Sequence, residues 1–414
     1  MEPDRQIEIQ LGHMCNNRCV FCVSGQRTEL REAFPIAAAP VVEKLREARA
    51  SGIEKVTLLG GEPTIQPEFF AVLRAAVELG FHEIVIFTNG VKTARGTFVD
   101  EVLATGGNFT WRLSFQGGDA RAHDRTTKKL GSFLRLVETL QNLHARRQRI
   151  TVNMCVVRSN FESVDKFPAL LMKYGVTQLH LDMIRPLDAG ERTEDEMRAM
   201  LPRYGDMVPA LERMIAGFPP GFDVNIGNLP YCIAPQLAPH IHHDGNPTLT
   251  VAIDRDSELS EAWDKYAVKR RDKVKVEACR TCAFDDRCSG IFDTYGRFYG
   301  IDELRPLERK HLPVEVSPEA SLDPRIGRCL ARLRSGAPFP ELTWHDTRIE
   351  GDGRAATVEL RHDGGVGVTL TFAVHGEGVR GGYKLDRQVE APPAGLVEGV
   401  RAAMSALRGD TLAK

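Results

Sequence analysis

Three cysteines fall close together near the start of the chain, Cys15, Cys19 and Cys22, in the spacing C-x3-C-x2-C. A single loop with that spacing can wrap three thiolates around one inorganic centre, and thiolate ligates both iron–sulfur clusters and structural zinc. A four-iron cluster has four corners, so three protein ligands leave one iron for a non-protein ligand. Zinc would call for a fourth Cys or His nearby, and His13 is the local candidate; three reduced core thiols are the remaining reading. A second set, Cys279, Cys282 and Cys288, is spaced C-x2-C-x5-C, with Cys232 upstream and Cys329 downstream as candidate fourth ligands. Cys155 lies among apolar residues and reads as an inert core thiol. The nine cysteines are odd in number and follow no secretory signal, which argues against a disulfide framework.

The elements that would position these residues follow from hydrophobic periodicity. Strands are expected over 6–11, 54–59, 83–87, 110–115, 150–157 and 178–184, alternating with helices at 39–51, 66–79, 132–147 and 163–174. Six β-α repeats imply parallel strands joined by right-handed crossovers, hence an α/β fold with an open or partial (β/α)6 barrel; a doubly wound sheet gives the same alternation. Either fold binds ligands at the C-terminal ends of its strands. The unusual short motifs sit at such ends: the first cysteine set, Gly60-Gly61-Glu62-Pro63, Thr88-Asn89-Gly90 and Gln116-Gly117-Gly118. A charged helical segment is expected at 192–216, then a turn-rich, cysteine-rich stretch and a proline-punctuated connector at 301–340. From Leu342 the pattern reads as hairpin strands near 343–349, 355–361 and 367–373, with Asp363-Gly364-Gly365 as a turn and a last helix at 394–408. The expected organisation is a core barrel over 1–220, a cysteine-rich module over 221–300, the connector over 301–340 and a small α+β region over 341–414.

Composition narrows the function classes. Of 414 residues, 42% are hydrophobic and 27% charged, enough apolar material for a sizeable core and typical of a soluble protein. Fifty-four Lys and Arg against 56 Asp and Glu give a net charge of −2, which offers no electrostatic footprint for nucleic acid or an anionic membrane. No stretch approaches a membrane span and the first residues lack a signal peptide's apolar core, so a cytoplasmic protein is expected.

The run Cys15-Asn16-Asn17-Arg18-Cys19-Val20-Phe21-Cys22 resembles the signature of the radical S-adenosylmethionine (SAM) superfamily, C-x3-C-x-aromatic-C. Gly60-Gly61-Glu62-Pro63 resembles that superfamily's GGEP motif, Thr88-Asn89-Gly90 is also typical, and the likeness covers roughly residues 6–190. The resemblance implies that Cys15, Cys19 and Cys22 hold a [4Fe-4S] cluster whose fourth iron is chelated by SAM. It implies that Gly60, Gly61 and Glu62 receive the methionine amine, that Phe21 lies beside the adenine, and that Ser114 is a polar SAM contact. Strand five departs from the glycine-containing form of some members, reading Asn153-Met154-Cys155-Val156-Val157, and no adenine contact is carried over there. The implied activity is reductive cleavage of SAM to a 5′-deoxyadenosyl radical that abstracts hydrogen from an organic substrate, with electrons from a flavodoxin- or ferredoxin-type donor.

The second cysteine set resembles the auxiliary-cluster modules, SPASM or twitch, that follow many radical SAM cores. A further cysteine expected beyond Cys288 is replaced by Phe292, so a one-cluster, twitch-like module is the better match, with Cys232, Cys279, Cys282 and Cys288 as metal ligands. Four thiolates would serve zinc equally well. Many relatives with such modules modify ribosomally made peptides and others act on small molecules; both substrate classes stay open.

Other candidates read more blandly. His240, His242, His243 and Asp244 are expected in a solvated loop, and Lys269-Arg270-Arg271 on a solvated face. His123 and Asp124 are expected to serve local structure, while Gln116 could reach SAM or substrate. Asp182 and Arg185 end the sixth strand; Arg185 suits a carboxylate or phosphate, or else a surface ion pair.

Overall fold

The computed structural model describes residues 5–219, 221–254, 258–308, 323, 326, 330, 343–350, 354–361, 367–375 and 378–385. One ten-stranded sheet organises the first part. Its strands are β1 (Gln6–Gln10), β2 (Lys55–Leu59), β3 (Glu83–Thr88), β4 (Phe109–Ser114), β5 (Arg149–Val156), β6 (Gln178–Met183), β7 (Asp223–Gly227), β8 (Ile241–His242), β9 (Thr248–Val251) and β10 (Trp263–Asp264). They lie in the order β10-β9-β1-β2-β3-β4-β5-β6-β7-β8. From β1 to β8 every pairing is parallel and between consecutive strands. A doubly wound sheet must reverse its strand order at a switch point within its consecutive repeats; from β1 to β8 this one does not, so the expected partial barrel is the one formed.

The strands carry two kinds of residue, separated by parity. Ile7, Val56 and Ile84 share one register row and Ile9, Leu58 and Ile86 another, and all six are fully buried. On the opposite face polar residues recur: Glu8, Thr57, Arg112, Ser114, Asn153, Cys155, His180 and Asp182. Arg112 on β4 comes within 3.9 Å of Glu8 on β1, although two strands separate them. Only a concave sheet lets side chains meet that way, so the polar face lines the inside of the barrel.

Helices α1 (Val23–Glu29), α2 (Ala38–Ala50), α3 (Phe69–Glu78), α4 (Gly96–Leu103), α5 (Ala120–Thr127), α6 (Ser132–Ala145) and α7 (Phe167–Lys173) fill the crossovers. The expected helices 66–79 and 163–174 start later than their periodicity, each preceded by a short 3-10 turn, at Pro63–Ile65 and Phe161–Lys166. Pro67 and Pro168 account for both shifts, because proline is favoured in a first helical turn and costly beyond it. The segment expected as one helix over 192–216 is two, α8 (Glu194–Met200) and α9 (Tyr204–Gly217). Pro202 separates them, since it disfavours helical geometry at Leu201, while Thr193 and Glu196 form a capping box at the start of α8.

The turn-rich stretch holds more structure than its sequence signals. It contains β7 to β10, helix α10 (Lys265–Arg271), the antiparallel pair β11 (Lys273–Val274) and β12 (Ile291–Phe292), and α11 (Asp293–Tyr299). Most of these strands are two to five residues long, too short to show a period.

The chain divides into two compact units: Met1–Ala234 with His240–Arg280 and Asp285–Arg305, and Pro235–Pro239 with Thr281–Phe284 and Pro306–Lys414. The second contains a four-stranded antiparallel meander, β13 (Thr343–Glu350), β14 (Ala355–Arg361), β15 (Gly367–His375) and β16 (Gly378–Leu385). Ala356, Val358, Leu360, Val368, Leu370 and Phe372 form its buried face. β16 was not among the expected strands; Gly378, Gly381 and Gly382 dilute its strand signal. The expected turn at 363–365 and helix at 394–408 lie outside the described residues. No helix among the described residues is long and apolar enough to cross a membrane.

Candidate functional site

The first cysteine set occupies the loop between β1 and α1, and Cys22 is the N-cap residue of α1. Two backbone hydrogen bonds fasten this loop to the end of α5, Arg18 N–H to Thr127 O at 2.8 Å and Val20 N–H to Thr126 O at 3.0 Å. His13, the zinc alternative's local candidate, is already engaged: its Nδ1 meets Ser24 Oγ at 2.8 Å and its Nε2 meets Ile253 O at 3.1 Å.

The turn after β2 is laced to the same loop. Gly61 N–H donates to Gly12 O at 2.7 Å and Glu62 N–H to Met14 O at 2.9 Å. A Cβ on Gly61 would lie 2.4 Å from both His13 O and Met14 O, so only glycine permits this approach. Glu62 is 1% exposed. Its Oε1 accepts from Thr64 Oγ1 at 2.5 Å and Thr88 Oγ1 at 2.6 Å, and its Oε2 accepts from Asn89 N–H at 2.7 Å. Burial pushes its carboxyl above the usual range against these bonds. Asn89 closes the circuit, donating its side-chain amide to Asn16 Oδ1 at 2.7 Å. Sequence motifs after three successive strands thus form one hydrogen-bonded rim.

Burial pushes the Cys15 thiol up to about 12, with the Glu62 carboxylate adding to the shift. Cys19 and Cys22 are also displaced upward by burial, and Cys19 further by the neighbouring Cys22 and Cys15. Three soft donors crowded in a poorly solvated place are disfavoured as thiolates unless a cation compensates them. Asn17 Oδ1, in the same loop, is buried with no hydrogen-bond partner among the described residues. Donor chemistry and burial therefore fit a thiolate-bound iron–sulfur cluster. No group of three His, Cys, Asp or Glu among the described residues is placed to hold a single metal ion. A four-iron cluster binds each thiolate on a different iron and does not require that convergence.

Ser114 ends β4 and accepts Gln116 Nε2 at 2.6 Å, while Gln116 Oε1 accepts Cys155 N–H at 3.1 Å. Gln116 therefore ties the ends of β4 and β5 together. Phe21 packs against Val157, Ile184, Ala189, Met197 and Leu201, beyond the ends of β5 and β6. His123 and Asp124 serve local structure as expected: His123 Nδ1 accepts Gln116 N–H at 3.0 Å, and Asp124 accepts Gly131 N–H at 2.7 Å and Phe133 N–H at 2.9 Å. Cys155 is a partly buried thiol, displaced well upward by burial and then by Asp182, its register partner on β6.

The second cysteine set is arranged differently. Cys232 follows Tyr231, whose hydroxyl donates to Ile241 O at 2.9 Å. Cys288 Sγ lies 3.7 Å from His243 Nε2 and accepts Gly290 N–H at 3.4 Å. Cys279 N–H donates to Val276 O at 3.0 Å. Cys282 belongs to the second compact unit, where it accepts Leu307 N–H at 3.4 Å. All four are half-buried. Cys329 lies outside the described residues.

Two expectations are corrected. His242 and His243 do not lie in a solvated loop: His242 is in β8, and His243 is 4% exposed with its Nε2 2.9 Å from Leu229 O. Burial, with His180 beside it, pushes His242 down to about 3. Nor is Lys269 on a solvated face; its side chain is 14% exposed and its Nζ lies 3.7 Å from Asp182 Oδ1 inside the barrel, whereas Arg270 pairs with Asp244 outside. Arg185 resolves as an ion pair with Asp272 and Asp188. Sequence reading missed Glu8 and Arg112; their signal was a lone charge among polar residues at every second position of otherwise apolar strands.

A cleft of about 410 Å3 lined by Arg95, Lys129, Leu130 and Arg135 contains none of the cysteines and neither Glu62 nor Ser114.

Residues 9–171 match the family model of the Radical SAM superfamily. That match places a radical SAM domain in this part of the chain. Among curated proteins, a "Probable GTP 3',8-cyclase" of Saccharolobus islandicus (strain M.14.25 / Kamchatka #1) is 27% identical over 209 residues, 47% of this chain and 63% of that one. The match thus spans less than two thirds of that relative's length. The mycofactocin maturase MftC of Mycobacterium ulcerans (strain Agy99) is 26% identical over 307 residues, covering 68% of this chain and 80% of the relative. Among solved structures, Streptococcus suis SuiB bound to S-adenosylmethionine shares the fold with a TM-score of 0.50 and 14% identity, over 77% of each chain.

Proposed function

We propose that the chain reductively cleaves SAM at a [4Fe-4S] cluster held by Cys15, Cys19 and Cys22 and uses the resulting radical to abstract hydrogen from an organic substrate. The carrying observation is the shared rim, in which the cysteine loop, Gly61, Glu62 and Asn89 are joined by short hydrogen bonds. When bound, the cluster supplies the electron that breaks the SAM sulfonium to methionine and a 5′-deoxyadenosyl radical. The protein's own residues bind and orient: Glu62 presents a fixed carboxylate towards the methionine amine, with Gly60 and Gly61 keeping the approach open. Ser114, braced by Gln116, contacts SAM, and Phe21 walls the adenine. The electron donor is a flavodoxin- or ferredoxin-type protein.

A ribosomal peptide is the favoured substrate. Support comes from the relative named a maturase, which aligns over more of this chain than the cyclase does, and from the likeness to SuiB, also solved with its precursor peptide SuiA at a TM-score of 0.50. A small molecule is the second reading, favoured by the identity with the protein named a cyclase. In either reading 221–300 is an auxiliary module in which Cys232, Cys279, Cys282 and Cys288 hold a second [4Fe-4S] cluster.

The test is anaerobic reconstitution, reduction and measurement of 5′-deoxyadenosine. Wild type should form it even without substrate, and Cys15→Ala/Cys19→Ala/Cys22→Ala should form none. Formation at the parental rate in the triple variant would overturn the assignment.

A further inference from the structure

We infer that Arg112 and Lys269 form a carboxylate-binding subsite inside the barrel, one that would fix an anionic end of the substrate. The inference deepens the proposed function, since it takes the barrel interior as the substrate chamber.

Five side chains contribute charge around this space. Glu8 on β1 binds Lys265 through both oxygens, at 2.9 and 2.8 Å. Asp182 on β6 accepts from His180 Nε2 at 2.9 Å through Oδ2 and from Asn228 Nδ2 at 2.9 Å through Oδ1. Each carboxylate oxygen therefore already has a close partner. The two remaining cations come near these carboxylates without hydrogen-bonding them. Arg112 Nη1 is 3.9 Å from Glu8 and Lys269 Nζ is 3.7 Å from Asp182. Neither side chain donates a hydrogen bond to any described residue, yet their exposures are only 22% and 14%. Arg112 is further held by the ring of Phe87, 5.6 Å from its centroid.

Such donors are costly to leave partnerless in a poorly solvated space. A guanidinium has five N–H groups in a planar fork and an ammonium three, and the acceptor that matches both is a carboxylate. Placement supports the same conclusion. Arg112 lies two residues before Ser114 on the same face of β4, so the subsite sits one layer below the expected SAM contact. Lys265 and Lys269 share one face of α10, and Lys265's salt bridge to Glu8 steadies the helix that delivers Lys269. Charge decides between anions. Glu8 and Asp182 already offset much of the positive charge of Arg112, Lys265 and Lys269, which disfavours a polyphosphate.

The carboxylate could be an acidic side chain or a chain terminus, and small probes separate the two. Binding to the iron-loaded full-length protein would be measured calorimetrically with N-acetylglutamate α-amide (side-chain carboxylate), N-acetylglutamine (α-carboxylate), N-acetylglutamine α-amide (neither) and inorganic triphosphate. At least one carboxylate probe should bind about tenfold or more tightly than the neutral amide. Arg112→Gln and Lys269→Gln should each erase that preference, and Lys269→Arg should retain it. Circular dichroism checks that each variant is folded, and the wild-type preference tests the subsite even if Arg112→Gln is not. Equal binding of all four probes, tighter binding of triphosphate, or a preference surviving in folded Lys269→Gln would overturn the inference. These are equilibrium measurements, so a protein that preferred the carboxylate but formed no deoxyadenosine would defeat the proposed function and leave the subsite standing.

Discussion

Glu62 Oε2 accepts the backbone N–H of Asn89 at 2.7 Å, so a carboxylate after β2 is fixed by the turn after β3. Oε1 is bound by two threonine hydroxyls, and all its partners are donors. Glu62→Gln would point an amide N–H2 at donors on one side or the other. The charge-assisted bonds lost and the donors left unpaired would together cost about 1–3 kcal/mol of stability. SAM affinity should fall about tenfold or more, while iron at the first site is retained because the thiols are intact. Chemical denaturation and calorimetric SAM titration check both; unchanged SAM affinity would remove Glu62 from the amine site.

Gly61 offers a steric test of the same rim. Its missing Cβ is what lets His13 O and Met14 O approach to 2.4 Å of that position. Gly61→Ala must push the cysteine loop away, as backbone rather than a flexible side chain stands in the way. Iron per chain after reconstitution should drop in Gly61→Ala and stay normal in Gly80→Ala, where no atom lies within 4 Å of the added carbon. Because Gly80 has φ +72°, that control should lose some stability, about 1 kcal/mol, without losing iron.

Much of this rim was legible because its residues are consecutive. Cys15 to Cys22, Gly60 to Pro63 and Thr88 to Gly90 are each contiguous, and strand periodicity places each at the end of a strand. The barrel interior was less legible: Glu8, Arg112 and Asp182 are single charges whose meaning depends on curvature that brings β1 opposite β4. Lys269 was misread for a related reason. A run of three basic residues on a short helix looks solvated, and only the packing of α10 beside β9 turns one of them inward. His243 was misread because a Pro/Gly-bracketed segment signals a loop, whereas its burial comes from Leu229, Tyr231 and Lys273, distant in sequence.

His123 makes stability depend on pH. Burial pushes it down to about 4 from an ordinary value near 6.5, with Asp124 opposing only in part. The unfolded chain therefore binds a proton that the folded chain refuses between those values, and stability from this residue falls as pH drops from about 6.5 towards 4. The full loss is about 3 kcal/mol. His123→Gln should flatten the unfolding free energy across that window relative to wild type, whatever its own stability at pH 7. An identical slope in both proteins would show that His123 takes up its proton without strain.

The second metal site is tested by counting. Each [4Fe-4S] cluster holds four irons, so about eight per chain are expected if both cysteine sets carry one. Cys279→Ala/Cys288→Ala should lower that to about four, because a cluster with two of its thiolates removed is not retained. A wild type with about four irons and one zinc would assign the second set to zinc, which organises a fold but transfers no electron.

Glu8 and Lys265 give the sharpest test of the barrel interior, because their salt bridge can be opened from either side. Glu8 is 6% exposed, and although burial opposes its ionisation, Lys265 and then Arg112 hold its carboxyl below the usual range. Glu8→Gln would leave Lys265 charged, near Arg112, without the carboxylate it hydrogen-bonds. Breaking a buried ion pair costs about 3–5 kcal/mol, and since the Lys265 side chain is 28% exposed the lower end applies. Lys265→Met alone leaves Glu8 with only Arg112 and Lys269 to oppose its burial, so its carboxyl should shift upward; its stabilising contribution above the unfolded pKa, lost in wild type only as pH falls through the depressed folded value, should then shrink. Glu8→Gln with Lys265→Met removes both charges and should recover part of the sum of the single losses, by about 1 kcal/mol or more in a double-mutant cycle. Strict additivity of the two variants in urea denaturation would mean that the ion pair contributes nothing and that α10 is held to β1 by packing alone.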